Sequence, residues 1–157
     1  MHKKTIAIET YFRVNGEFVP VKSYQGNITD PDYIEGAIEI LIDDEEVLTK
    51  DMWDYVDQLW GYLLDGLKDM TKSGSTEIYF PDQPIKISMQ SDILRNSISL
   101  NVDYQNRSAQ AEYDEFFSKM LEEAHSFYCK LSELLPEDQS HYEGVFCSIS
   151  ALNKIIP

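Results

Sequence analysis

From Thr5 to Tyr24 the chain is rich in β-branched and aromatic residues, and this stretch is broken once, at Asn15-Gly16. That dipeptide suits the two positive φ angles of a type I′ turn, so residues 5–14 and 17–24 are predicted to form a β-hairpin. In this register Val14 opposes Glu17 as a hydrogen-bonded pair and Tyr11 opposes Pro20 as a non-hydrogen-bonded one. The missing N–H of proline then faces away from the partner strand, which places the second strand at a sheet edge near Pro20. Ile6, Ile8, Phe12 and Val14 share an apolar face with Val19 and Val21, and residues 26–31 read as a loop.

From Tyr33 to Asp43, Ile34, Gly36, Ile38, Ile40 and Ile42 alternate with Glu35, Ala37, Glu39 and Leu41, the period of a half-buried strand. Gly36 marks either a bulge or a close contact in that row. The acidic run Asp43-Asp44-Glu45-Glu46 reads as a solvated turn from strand to helix. Beyond it Trp53, Val56, Trp60, Leu63, Leu67 and Met70 recur three and four apart, which predicts a helix capped by Thr49 and ending at 72–74. Asp51 and Asp54 at its start and Lys68 and Lys72 at its end complement the helix dipole. Asp57, Gly61 and Asp65 fall on its water-facing side, while Trp53 and Trp60 are expected in the core.

Two or three further strands are predicted, over 76–80, 85–89 and 97–104, with Pro81 and Pro84 bracketing the first turn. Ser108 is placed to cap a long helix running to Leu135, with Tyr113, Phe116, Phe117, Met120, Ala124, Phe127, Leu131 and Leu134 on one side and Pro136 beyond its end. Ser140 and Glu143 have capping-box spacing, which predicts a helix over 141–154 carrying Val145, Ile149 and Leu152. The order is β-β-β-α-β-β-β-α-α. Hairpin-connected strands followed by helices predict one α+β domain over residues 1–157: a mainly antiparallel sheet of five to six strands, with two long helices and a short C-terminal helix packed on it. The other sheet face then needs a cover or a polar surface.

The charge balance changes the picture. Thirteen Lys and Arg against 28 Asp and Glu give a net charge of −15, which argues against binding a nucleic-acid backbone or an anionic membrane surface. The hydrophobic content of 43% in 157 residues is enough for a core, and no apolar run approaches membrane-spanning length. The apolar stretch after the first lysines is too short for a signal-peptide core, so the chain is expected to be cytoplasmic. Nine acids lie between Asp43 and Asp69 against Lys50 and Lys68, and nine between Glu112 and Glu143 against Lys119 and Lys130. Residues 1–26 instead hold four bases and two acids. Such polarity suits steered association with a basic protein. Asp43, Asp44, Glu45, Glu46, Asp51, Asp54 and Asp57 are the candidate partner-binding residues.

Candidate chemistry is sparse. Glu122 and His125 have E-x-x-H spacing, but a di-iron site needs a second copy and two more glutamates, and the other histidines, His2 and His141, do not supply it. The run at Asp43 lacks the alternation of a calcium-binding loop. No G-x-S-x-G, P-loop or dinucleotide fingerprint is present. Cys129 lies four residues after His125, and Cys129 and Cys147 read as buried reduced thiols. No catalytic residue, metal or cofactor is therefore expected. A small enzyme using carboxylates remains the alternative, as does an inhibitor that mimics nucleic acid.

Tyr33-Ile34-Glu35-Gly36-Ala37-Ile38-Glu39-Ile40, the segment holding Trp53-Asp54-Tyr55-Val56 and Trp60, and Tyr79-Phe80-Pro81-Asp82-Gln83-Pro84 together resemble small bacterial proteins whose build is similar to that of immunity proteins of polymorphic toxin systems. The resemblance covers residues 33–135. It implies a cytoplasmic, non-enzymatic, acidic α+β protein that neutralises a cognate toxin, such as a nuclease, by tight binding. It carries over no functional residue.

Overall fold

A computed structural model describes residues 4–155; His2 and Lys3 lie outside them. The chain forms β1 (Ile6–Val14), β2 (Glu17–Pro20), β3 (Glu35–Ile42), β4 (Glu45–Leu48), β5 (Asp54–Tyr55), α1 (Val56–Ser73), β6 (Ser75–Tyr79), β7 (Lys86–Asp92), β8 (Ser97–Val102), β9 (Arg107–Glu112), α2 (Tyr113–Leu134) and α3 (Glu143–Ile155). It is an α+β fold, but the strands make two antiparallel sheets rather than one. The first has order β2-β1-β3-β4 with β5 also on β3, and the second has order β6-β7-β8-β9.

The first hairpin has the predicted register, Val14 opposite Glu17 and Tyr11 opposite Pro20, with Asn15 and Gly16 at φ 53° and 79°. Gly36 is a close contact: a Cβ there would lie 2.2 Å from the Tyr11 carbonyl oxygen and 2.8 Å from Val56 Cγ1. The irregularity in β3 sits instead between Ile40 and Leu41, against β4.

Four boundaries move, the first three because pairing or packing with another part of the chain outweighs a local signal. Asp43 and Asp44 take φ 50° and 64° and close a two-residue hairpin into β4, so the acidic run is a strand-to-strand turn. The chain then crosses the outer face of the first sheet through a 3-10 turn at Lys50–Met52 and β5, and α1 begins only at Val56. Met52 is buried there, and Trp53 sits under the Arg13 guanidinium at 4.1 Å, off the helix stripe and only half-buried. Residues 107–112 form β9 instead of a helical turn; Ala109 and Ala111 face inward, and the register runs from Ser97–Glu112 to Val102–Arg107. The third helix starts at Glu143, because Pro136–Tyr142 is a 3-10 segment.

Both sheets contribute to one core. Ile40, Val47 and Leu48 of the first meet Ile87, Met89, Leu100 and Val102 of the second, with Leu63 of α1 and Phe116 and Met120 of α2 between them. Trp60 is fully buried, and its indole Nε1 donates to Thr10 Oγ1 at 3.2 Å. Gly74 at φ 84° ends α1 with its amide on the Met70 carbonyl and turns the chain directly into β6. Cys129 is half-buried and Cys147 exposed, so neither is the core thiol expected from sequence. Both are free, and Cys129 Sγ is 3.7 Å from His125 Nδ1.

Candidate partner-binding surface

The seven acids selected from sequence do not form one face. Asp44, Glu45, Glu46 and Asp51 are exposed, and Asp43 is half-buried in the turn, where its Oδ1 accepts the Thr5 amide at 2.8 Å. Glu46 is 3.6 Å from Arg107, which also donates to the Glu46 carbonyl. Asp54, expected on the water-facing side of a helix, is instead 3% exposed. Its carboxylate accepts the amides of Asp82 at 3.0 Å and Gln83 at 2.8 Å, and that of Tyr55 at 2.7 Å. This ties β5 of the first sheet to the β6–β7 loop of the second, a structural task. Asp57 is also drawn inward, to the side where α1 meets Tyr128 and Tyr142; the Tyr128 hydroxyl donates to the Asp57 carbonyl oxygen at 2.7 Å. Asp57 Oδ1 is buried without a hydrogen-bond partner, and burial pushes the carboxyl above its ordinary range. Burial, then the Asp57 and Asp138 charges, push Tyr142 up to about 12.

The second acidic region is dispersed too. Glu123 is buried, accepts from Thr10 Oγ1 at 3.1 Å and lies 3.7 Å from Lys22 Nζ. Burial raises its pKa, with Lys22 and the Thr10 hydroxyl pulling the other way. Thr10 thus accepts from Trp60 and donates to Glu123, joining β1, α1 and α2 through one hydroxyl. Glu122 and His125 remain exposed on α2, and among the described residues no group of three or more His, Cys, Asp or Glu is placed to hold a metal ion.

What the fold does assemble is a groove of about 260 Å³ between α1 and β6. Tyr62, Asp65 and Asp69 rise from α1, and Glu77 and Tyr79 from β6, all five exposed. Their spacing explains the wall: Tyr62, Asp65 and Asp69 lie three and four apart, hence on one flank of the helix. Gly66 opposite lets α1 approach β6; a Cβ there would lie 2.5 Å from Ile78 Cδ1. The Tyr79 hydroxyl donates to Glu77 at 3.4 Å, and Lys86 Nζ is 3.8 Å from Glu77. The helical period alone puts Asp65 at the surface and marks neither tyrosine as part of a site. A tyrosine on the polar flank of an amphipathic helix is a legible signal, but its meeting with Tyr79 is not.

Two other exposed features flank this groove. The outer face of the second sheet is a shallow concavity of about 910 Å³ lined by Ser88, Gln90, Ser99, Asn101, Ser108 and Gln110 among others, with Glu45 and Glu77 on its rim. The β7–β8 turn holds Ile93 and Leu94 in water, Leu94 fully exposed. That turn is tied to its surroundings: Asp92 accepts the Arg95 amide, and Asn96 exchanges two hydrogen bonds with Asp114 at the start of α2.

No family model matches the chain, and neither a curated protein nor a solved structure matches it significantly. No helix among the described residues is long and apolar enough to cross a membrane.

Proposed function

We propose that the protein is a non-enzymatic acidic binding protein, an immunity or antitoxin-like inhibitor of the bacterial cytoplasm that neutralises a basic protein partner such as a toxin nuclease. The observation that carries this reading is the groove in which Tyr62 and Tyr79 stand exposed beside Asp65, Asp69 and Glu77. Exposed aromatic rings among carboxylates offer a cation both a π-face and a counter-charge, the combination that holds arginine or lysine at an interface. Asp44, Glu45, Glu46 and Asp51 add long-range attraction, which raises the association rate more than the affinity. The buried carboxylates Asp54 and Glu123 are already engaged by backbone amides, Thr10 and Lys22, so they serve the fold rather than a reaction.

The test is co-purification with the product of the neighbouring gene, followed by association kinetics across a salt series. The variant Asp65→Asn/Asp69→Asn/Glu77→Gln should weaken the complex. Neutralising Asp44, Glu45 and Asp51 together, which spares Asp43 on the Thr5 amide and Glu46 on Arg107, should leave thermal stability unchanged or slightly higher, slow association and flatten its salt dependence. A complex whose rate ignores both variants would overturn the reading.

The carboxylate-enzyme alternative has one observation in its favour, the carboxyl of Asp57, raised by burial and with Oδ1 lacking a partner, beside Tyr128 and Tyr142. Turnover of any substrate by purified protein, abolished by Asp57→Asn in a folded variant, would establish it.

A further inference from the structure

We propose that the α1–β6 groove takes an extended basic segment of the partner as an added strand on the β6 edge; this rests on the binding-protein reading and specifies its contact. Backbone phase comes first. The Ser91 amide donates to the Gly74 carbonyl and the Phe80 amide to the Ile85 carbonyl, so residues 74, 76, 78 and 80 carry the ladder to β7. Antiparallel alternation then turns the N–H and C=O groups of Ser75, Glu77 and Tyr79 toward the free side of β6. The Ser75 carbonyl is taken by the Ser73 hydroxyl at 2.9 Å, which leaves Glu77 and Tyr79 to offer donors and acceptors to a neighbour.

Edges of this kind are ordinarily blunted by proline, lysine or a covering element. The opposite treatment is visible at β2, which is only four residues long and carries Pro20 with its nitrogen turned outward. β6 has no proline or lysine within Ser75–Tyr79, and a groove runs between it and α1, with Glu77 and Tyr79 exposed on one side and Tyr62, Asp65 and Asp69 on the other. A strand entering there would run between β6 and the flank bearing Tyr62, Asp65 and Asp69.

Charge decides the occupant. A second copy of this chain would bring Glu77 and the helix aspartates against their own kind, on a molecule of net charge −15. An arginine- or lysine-bearing strand instead finds Asp65, Asp69 and Glu77 beside its side chains and the rings of Tyr62 and Tyr79 to stack on. The acids that forbid self-pairing at this edge are the ones that admit a basic strand.

The test uses the full-length protein and a short end-capped peptide of alternating arginine and threonine, with a second peptide of the same sequence N-methylated at every amide. The methylated peptide keeps the charge and loses the backbone donors. Binding is read by fluorescence anisotropy at low and moderate salt, and amide hydrogen exchange is followed residue by residue. The expected result is binding of the first peptide, at least about tenfold weaker binding of the second, as loss of two net hydrogen bonds implies, and slowed exchange at Glu77 and Tyr79. Glu77→Pro removes an outward N–H while sparing the ladder to β7, and should bind the first peptide more weakly than Glu77→Gln, which loses the same charge and keeps the N–H. If that variant does not fold, the exchange pattern of the wild-type protein decides alone. Equal, salt-sensitive binding of both peptides would overturn strand addition and leave capture by charge standing. Protection confined to other strands would overturn the location. Failure of both peptides to bind at low salt would overturn strand addition and count against a basic partner as well.

Discussion

The two sheets treat their outer faces in opposite ways. The outer face of the first is partly covered by its own chain: residues 49–53 cross β3, Ala37 is fully buried, and Arg13 and Lys50 are held against aromatic rings. Arg13 stacks on Trp53 and bonds Glu35 at 3.0 Å, while Lys50 sits 4.4 Å over Tyr11, whose hydroxyl reaches Glu39 at 3.4 Å. The outer face of the second sheet carries Ser88, Gln90, Ser99, Asn101, Ser108 and Gln110, short uncharged side chains open to water. The first sheet has spent its cations and aromatics on itself. The second keeps its face bare and its β6 edge unblunted, with Asp65 and Asp69 exposed beside that edge and Glu77 shared with Lys86.

The largest expected effect bears on the first sheet's inner face. Trp60→Ala would leave a cavity and strip Thr10 of a donor, and should destabilise the fold by about 3–5 kcal/mol in urea unfolding. A loss below 1 kcal/mol, on the order of a surface change, would mean the two sheets do not share the core described above. Next comes the join. Asp54→Ala leaves the amides of Asp82 and Gln83 without their carboxylate and should cost about 1.5–3 kcal/mol, with faster hydrogen exchange confined to the β6–β7 loop. Uniformly faster exchange would show that the loop is not separable from the rest.

The contrast between outer faces predicts a smaller difference. Trp53→Ala should cost about 0.5–2 kcal/mol through loss of the Arg13 stack, less than a core tryptophan, whereas Gln90→Ala should fall within about 0.5 kcal/mol of wild type. Equal effects would erase the distinction.

The smallest effect is a slope in pH. Burial raises the Glu123 and Asp57 carboxyls above 4.5 and 3.8, their ordinary values. The folded state therefore holds these protons more tightly than the unfolded chain, and stability falls as pH rises from the ordinary value through the folded one. Glu123→Gln and Asp57→Asn should each flatten the dependence of melting temperature on pH over that window. A steeper fall of melting temperature with rising pH in either variant would reverse the assigned sign.

Much of this was readable along the chain because it depends on near neighbours. Asn15-Gly16 determined a turn and, with it, the register that puts Pro20 at an edge. The spacing of Val56, Trp60, Leu63, Leu67 and Met70 determined the buried stripe of α1, and Gly74 its end. The alternation of isoleucines from Ile34 to Ile42 determined β3. What local pattern could not decide was where an ambiguous segment goes when a distant partner competes for it. Asp51 and Asp54 look like the acids of a first helical turn, yet Asp54 is claimed by amides 28 and 29 residues away, and Trp53 by Arg13. Ser108 looks like a cap, yet pairing with β8 completes a sheet. The acidic face read from residues 43–57 came apart for the same reason: a carboxylate's position in the chain says how charged a segment is, while burial and hydrogen bonding, set by the packing of remote elements, decide whether that charge reaches the surface. The groove of Tyr62, Asp65, Asp69, Glu77 and Tyr79 exists only because Gly66 lets α1 lie close to β6, a distance no periodicity encodes.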